Sequence, residues 1–170
     1  NHKGGVGKTT SVVNIGAGLA LQGRKVLLID LDPQANLTIS YGIAESENNV
    51  YNAFINGKKL EPINVKDNID IIPSSDELAV AEINMDPELT EKNNISKLID
   101  PLKDNYDYIF IDCPPSLGLL TLNAFAASRE VIIPIQPHFL DVKGLAKIIE
   151  VVNKIKMTTN KNVEISGVFV

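Results

Sequence analysis

The stretch His2-Lys3-Gly4-Gly5-Val6-Gly7-Lys8-Thr9-Thr10 decides the fold. Gly4, Gly5 and Gly7 permit a tight turn whose successive backbone N–H groups converge on an anion. Lys8 supplies a point charge for β- and γ-phosphates, and the Thr9 hydroxyl is suited to ligate Mg²⁺. A helical pattern starts directly after the loop and aims its positive N-terminal end at the same place. A glycine-rich turn without a ligand is the plain alternative, and the helix that follows argues against it. The nucleotide-binding set read from this run is Gly4, Gly5, Val6, Gly7, Lys8, Thr9 and Thr10.

Downstream, Val12, Val13, Ile15, Gly16, Leu19 and Ala20 recur at helical spacing, and the pattern stops at Gly23. Lys25–Asp30 is a continuous apolar run ending in a carboxylate, the form of a parallel strand covered on both faces. Further strands are read at Ile69–Pro73, Tyr108–Asp112 (also as a buried strand), Glu130–Ile135 and Val163–Val170. Helices are expected near 75–84, 91–103, 118–128 and 142–157. Residues 42–68 are polar, asparagine-rich and weakly periodic, with one or two short helices around Val50–Ile55, and are expected to be the least rigid part. This alternation predicts an α/β fold: a mostly parallel β-sheet with helices on both faces.

At 170 residues, 44% hydrophobic and 22% charged, the chain is expected to form a single nucleotide-binding domain over 1–170. No apolar run is long enough to cross a bilayer, and Cys113 is the only cysteine, which excludes an internal disulfide and a cysteine-rich metal site. The composition points to the cytoplasm. A phosphate loop ordinarily follows a buried strand, whereas this sequence begins inside the loop and stops in a strand at Ile165–Val170. Residues are therefore expected beyond both ends.

In open α/β domains the chemistry gathers at the carboxyl ends of the strands. Asp30, Asp32 and Asp112 fall there. Tyr108-Ile109-Phe110-Ile111-Asp112 has the form of a Walker B strand, whose Asp112 would hold Mg²⁺ through a water opposite Thr9. Asp30 reads as the structural member, near the metal's outer shell or bonded to loop amides. Cys113 reads as a small buried spacer, since no basic residue adjoins it. His2 and His138 lack metal-ligand spacing, and Ile135-Gln136-Pro137-His138 is a candidate for lining the nucleotide pocket.

The run Lys3-Gly4-Gly5-Val6-Gly7-Lys8-Thr9-Thr10 resembles the deviant Walker A loop of the ParA/MinD family of P-loop ATPases, in which the early lysine is the signature residue. His2, where the general pattern asks for glycine, fits the partition branch. Asp30-Leu31-Asp32-Pro33-Gln34-Ala35-Asn36-Leu37-Thr38 resembles the D-x-D-P-Q-x-N-x-T run of ParA/Soj-type partition ATPases, and Asp112–Gly118 resembles the family's switch II. The resemblance implies ATP and Mg²⁺ as cofactors. It also implies Lys3, Lys8 and Asp32 as the catalytic set, with Lys3 crossing a nucleotide-sandwich homodimer and Asp32 positioning the attacking water from the metal's outer shell.

By the same resemblance, the chain is a slow ATPase that partitions plasmids or chromosomes. It would bind non-specific DNA as an ATP-bound dimer, be stimulated by a ParB-type partner, and associate with the nucleoid. The formal charge of −5 argues against DNA binding, but five lysines against Glu150 leave 143–161 with a net charge of +4. Lys143, Lys147 and Lys154 share a helical face, which an ordinary solvated helix would also do. The alternative is a MinD-like membrane-cycling cell-division or positioning ATPase. Such proteins end in a basic amphipathic helix, which this sequence does not display, so stable membrane association is not expected. An iron–sulfur carrier would need more than Cys113. A small-molecule kinase or amide-forming synthetase of the same fold would need an acceptor pocket to which no residues point.

Overall fold

Helix α1 (Lys8–Leu21) leaves the glycine loop without a break. The computed structural model describes residues 5–84, 95–137 and 139–170, apart from the side chains of 84 and 139–143. The α1 helix ends where Gly23, at φ 79°, returns its N–H to the Ala20 carbonyl, as the glycine there leads one to expect. It also lies close on the sheet. A Cβ at Gly16 would sit 3.1 Å from the Leu28 side chain, so the missing side chain sets the approach of helix to strand.

The remaining elements follow as β1 (Val26–Asp30), α2 (Asn36–Ser40), α3 (Val50–Asn56), β2 (Ile63–Lys66) and β3 (Ile69–Ile72), then α4 (Glu77–Asn84), α5 (Ile95–Ile99) and β4 (Tyr108–Asp112). The chain continues through α6 (Leu119–Ala127), β5 (Glu130–Pro134), α7 (Phe139–Thr158) and β6 (Glu164–Phe169). One sheet has the order β2-β3-β1-β4, with β1 parallel to both β3 and β4 and β2 antiparallel at the edge. β5 and β6 pair in parallel as a second sheet. The mostly parallel α/β architecture is thus as read, but in two sheets rather than one.

β1 is buried along its whole length, and its alternation divides two cores. Leu27 and Ile29 pack with Phe54, Leu78, Ile95 and Leu120, whereas Val26 and Leu28 pack with Leu37, Ile69 and the apolar side of α1. Each such leucine or isoleucine contributes about 1.5–3 kcal/mol by leaving water. Helices therefore cover both faces. A third cluster joins β5 to α7 through Val131, Ile133, Ile148, Val152 and Val163.

Two expectations need correction. β4 is not a buried strand: Tyr108 is 44% exposed and only Asp112 is fully enclosed. Its side away from β1 borders a cavity of about 1240 Å³, lined also by β5 and by Val12, Ile15 and Leu19 of α1. The region 42–68 holds the strand β2 as well as the expected helix α3. Asn49 caps α3 by accepting the Asn52 N–H at 2.8 Å, and Ile63-Asn64-Val65-Lys66 alternates in burial as an edge strand should. The helix expected over 91–103 appears as α5 and a short turn at Lys103–Asn105, its first residues lying outside the description.

Candidate phosphate and metal site

The parallel pairing of β3, β1 and β4 brings their carboxyl ends to one side of the sheet, with Asp30 and Asp112 directly opposite in register. The glycine loop sits at this same end. Gly5 and Gly7 have φ of 78° and 93°, values that disfavour any side chain, and a Cβ on either would meet nothing within 4 Å. Among the described residues no side chain caps α1 and its first turn carries no acidic residue, so the N–H groups of Lys8, Thr9 and Thr10 are suited to an anion. Val6 is buried beneath the loop.

The Thr9 hydroxyl donates to Asp112 Oδ2 at 2.6 Å, joining loop to β4 across 103 residues of sequence. Asp112 is buried, and its Oδ1 has no hydrogen-bond partner among the described residues. Burial pushes its carboxyl above the usual range; the Thr9 bond pulls it back, Asp32 pushes it up and Lys8 pulls it down. An enclosed carboxylate oxygen without a donor, beside a threonine hydroxyl, suits a hard cation. Among the described residues no group of three or more His, Cys, Asp or Glu gathers for a metal. Mg²⁺ takes one or two protein oxygens and completes its shell with phosphates and water. Thr9 and Asp112 are the residues that would hold it.

Asp32 lies just beyond β1, 8% exposed, its Oδ1 accepting the Gln34 N–H at 3.0 Å. Its placement depends on Asp30, which turns out to be the member bonded to loop amides. Asp30 accepts the Asp32 N–H at 3.1 Å, the Thr38 N–H at 2.9 Å and the Thr38 hydroxyl at 2.7 Å. Burial pushes the Asp30 carboxyl up to about 6, against the pull of the Thr38 bonds. Ser74, just past β3, extends the network: its N–H donates to Thr38 Oγ1 at 2.9 Å and its hydroxyl to the Asp32 carbonyl at 2.7 Å. Thr38 and Ser74 escape a reading based on charge, because a hydroxyl that fixes a loop carries no sequence pattern of its own.

Gln136 sends its side-chain N–H to the Gly5 carbonyl at 3.1 Å, bringing the loop after β5 onto the phosphate loop. Cys113 donates to the Ile111 carbonyl at 3.7 Å, and burial, with Asp112 beside it, pushes the thiol up to about 12. A thiol held protonated in this way is a poor nucleophile. On α7, Ile148, Val152 and Ile155 face inward while Lys147 and Lys154 are exposed, Lys147 paired with Glu150 at 3.1 Å. Lys3, Gly4, His2 and His138 lie outside the described residues, as does the Lys143 side chain.

The family model described as an AAA domain matches residues 1–165. Over 173 residues the chain is 43% identical to the sporulation initiation inhibitor protein Soj of Bacillus subtilis, covering 99% of this chain and 68% of that protein. The chain spans between 55% and 68% of the length of the first curated relatives it matches. Among solved structures it superposes on cobyrinic acid a,c-diamide synthase from Mycobacterium smegmatis, bound to an ATP analogue and magnesium. That match has a TM-score of 0.89 and 34% identity, over 99% of this chain and 71% of that one. A plasmid partition protein from Borrelia burgdorferi matches with a TM-score of 0.83 and 31% identity, over 99% and 73% of the two chains. No helix among the described residues is long and apolar enough to cross a membrane.

Proposed function

The chain belongs to the AAA-domain family that includes the Soj and ParA partition ATPases, and on that premise we propose that it is an ATP-dependent, dimerising switch for plasmid or chromosome partitioning. The observation that carries the reading is the convergence of Thr9, Asp112, Lys8 and Asp32 on the open glycine cradle. The amides of Gly5, Val6, Gly7, Lys8, Thr9 and Thr10, with Lys3 and Gly4, wrap the phosphates of ATP, and Lys8 neutralises their charge. Mg²⁺, when bound, offsets charge on the phosphate oxygens and on the leaving group. Asp32 holds the attacking water in line with the γ-phosphorus, its backbone fixed by Asp30 and Ser74. The residues 1–170 act as one nucleotide-binding domain. Hydrolysis to ADP and phosphate is slow until a ParB-type partner acts, and ATP-bound dimers ride non-specific DNA over the nucleoid in the cytoplasm.

Lys3 makes the dimer dependent on nucleotide. Two triphosphates facing each other repel, and a cation from each subunit offsets that in a poorly screened site. Lys3→Ala is expected to leave ATP bound to a monomer while ATP-driven dimerisation fails and DNA binding falls with it. Sedimentation of the full-length protein with a non-hydrolysable ATP analogue checks this. A Lys3→Ala protein that dimerises as fully as the parent contradicts the sandwich arrangement.

A second reading, an amide-forming synthetase, rests on the likeness to the diamide synthase. The Asp30–Thr38 run and the 43% identity to Soj favour partition. Turnover that responds to an amide donor and a carboxylic acid, and not to DNA, would reverse that preference.

A further inference from the structure

Gly118 stands at the start of α6 with φ −81° and ψ −171°, a conformation open to any residue. Its lack of a side chain has another cause. The Glu82 carboxylate, reaching over from α4, occupies the space that a Cβ at 118 would need. From there Glu82 accepts the Leu120 N–H at 3.3 Å, in a helix whose own N-cap residue offers no side chain. Glu82 therefore caps α6 from a different element, its negative charge set against the positive end of the helix.

The segment being capped is chemically significant. Residues 113–118 connect Asp112 to α6, and the Thr121 hydroxyl ties the same loop back by donating to the Ser116 carbonyl at 2.7 Å. At the other end of the segment that carries Glu82, Ser74 holds the Asp32 carbonyl. The stretch from Ser74 to Glu82 thus touches both loops that leave the acidic residues of the site: the Asp32 loop by its first residue and the Asp112 loop by its last.

We infer that Glu82 is a positioning residue, the clamp by which α4 fixes the Asp112–Gly118 loop relative to Asp32. The inference rests on the ATPase reading for its consequence, not for its geometry. Among the described residues the bonds of Glu82 reach neither the phosphate loop nor Asp112, so its loss leaves nucleotide binding in place and lets the 113–118 loop drift. Misplacement of about 1 Å at a site can cost as much as about a hundredfold in rate. A loss of about tenfold in kcat, with KM for ATP within about twofold, is the expected result for Glu82→Ala.

The test uses Glu82→Ala, Gly118→Ala and the double variant in the full-length protein. Amide hydrogen exchange without nucleotide is read over Ser116–Thr121, and ATP turnover is measured in parallel. Glu82→Ala should speed exchange over that segment about tenfold while β1 exchanges as in the parent. Gly118→Ala should lower kcat by displacing the carboxylate, since the backbone there accepts alanine. With Glu82 already removed the added methyl has room, so the double variant should be no worse than Glu82→Ala alone. Unchanged exchange in Glu82→Ala, or single-variant losses that multiply in the double, overturns the clamp. If the parent protein shows no ATP turnover, the ATPase reading fails and the exchange measurement still decides the role of Glu82.

Discussion

Asp32→Ala is expected to keep ATP bound and to stop hydrolysis. Asp32 follows β1 and is no part of the glycine loop, so nucleotide affinity should change by no more than about threefold, whereas a lost water-positioning group typically costs about 10²- to 10⁴-fold in turnover. The substitution is clean because the loop is held by other atoms. Asp30 keeps its bonds to the 32 and 38 amides, and Ser74 binds the Asp32 carbonyl, which alanine retains. Among the described residues only the bond from the Gln34 N–H to Asp32 Oδ1 disappears, worth about 1 kcal/mol. Equilibrium binding of a fluorescent ATP analogue and phosphate release, measured together, check both halves. Turnover near the parent value would make Asp32 structural and move the water-positioning role elsewhere.

Lys8→Ala acts a step earlier, on binding itself. It removes the loop's cation and also the positive charge that lowers the Asp112 carboxyl, so the proposed metal-holding residue would be disturbed as well. Truncating one partner of a hydrogen-bonded charge pair in a complex costs about 2–5 kcal/mol, an affinity loss of roughly thirtyfold or more. Calorimetry with ATP and Mg²⁺ measures it. The two variants then separate cleanly, one losing the ligand and the other only the reaction. An ATP affinity for Lys8→Ala equal to the parent's would count against the phosphate-loop assignment.

The sequence made the site legible wherever chemistry demands a residue type at a fixed spacing. Lys8, Thr9, Asp32 and Asp112 could be placed because loop, strand ends and parallel pairing bring them to one end of the sheet, where Thr9 bonds Asp112 and the charges of Lys8 and Asp32 act on its carboxyl. The four groups that hold the site in shape were harder to see. Thr38 had been noticed only as the end of a motif. Ser74 and Glu82 act through space on loops far from them in sequence, and Gln136 was singled out for its position after a strand and not for its contact with Gly5.

The fold divides along the same line. β1 declared itself by five buried residues in a row, since a strand enclosed on both faces needs no polar side. β4 looks the same in sequence and is half open, because burial there depends on what lies across its free edge and not on its own residues. β2 is a four-residue edge strand with polar residues at alternate positions, a pattern that the asparagine-rich surroundings obscured.

The central claim is that nucleotide turnover and DNA are coupled in this protein. The direct measurement is ATP turnover by the full-length protein alone, with non-specific duplex DNA, and with DNA together with its co-encoded partner protein, at fixed ionic strength because phosphate contacts weaken steeply with salt. The partition switch predicts low turnover alone, a severalfold rise with DNA, a further rise with the partner, and no rise in Asp32→Ala under any condition. Turnover that is the same in all three mixtures would contradict it.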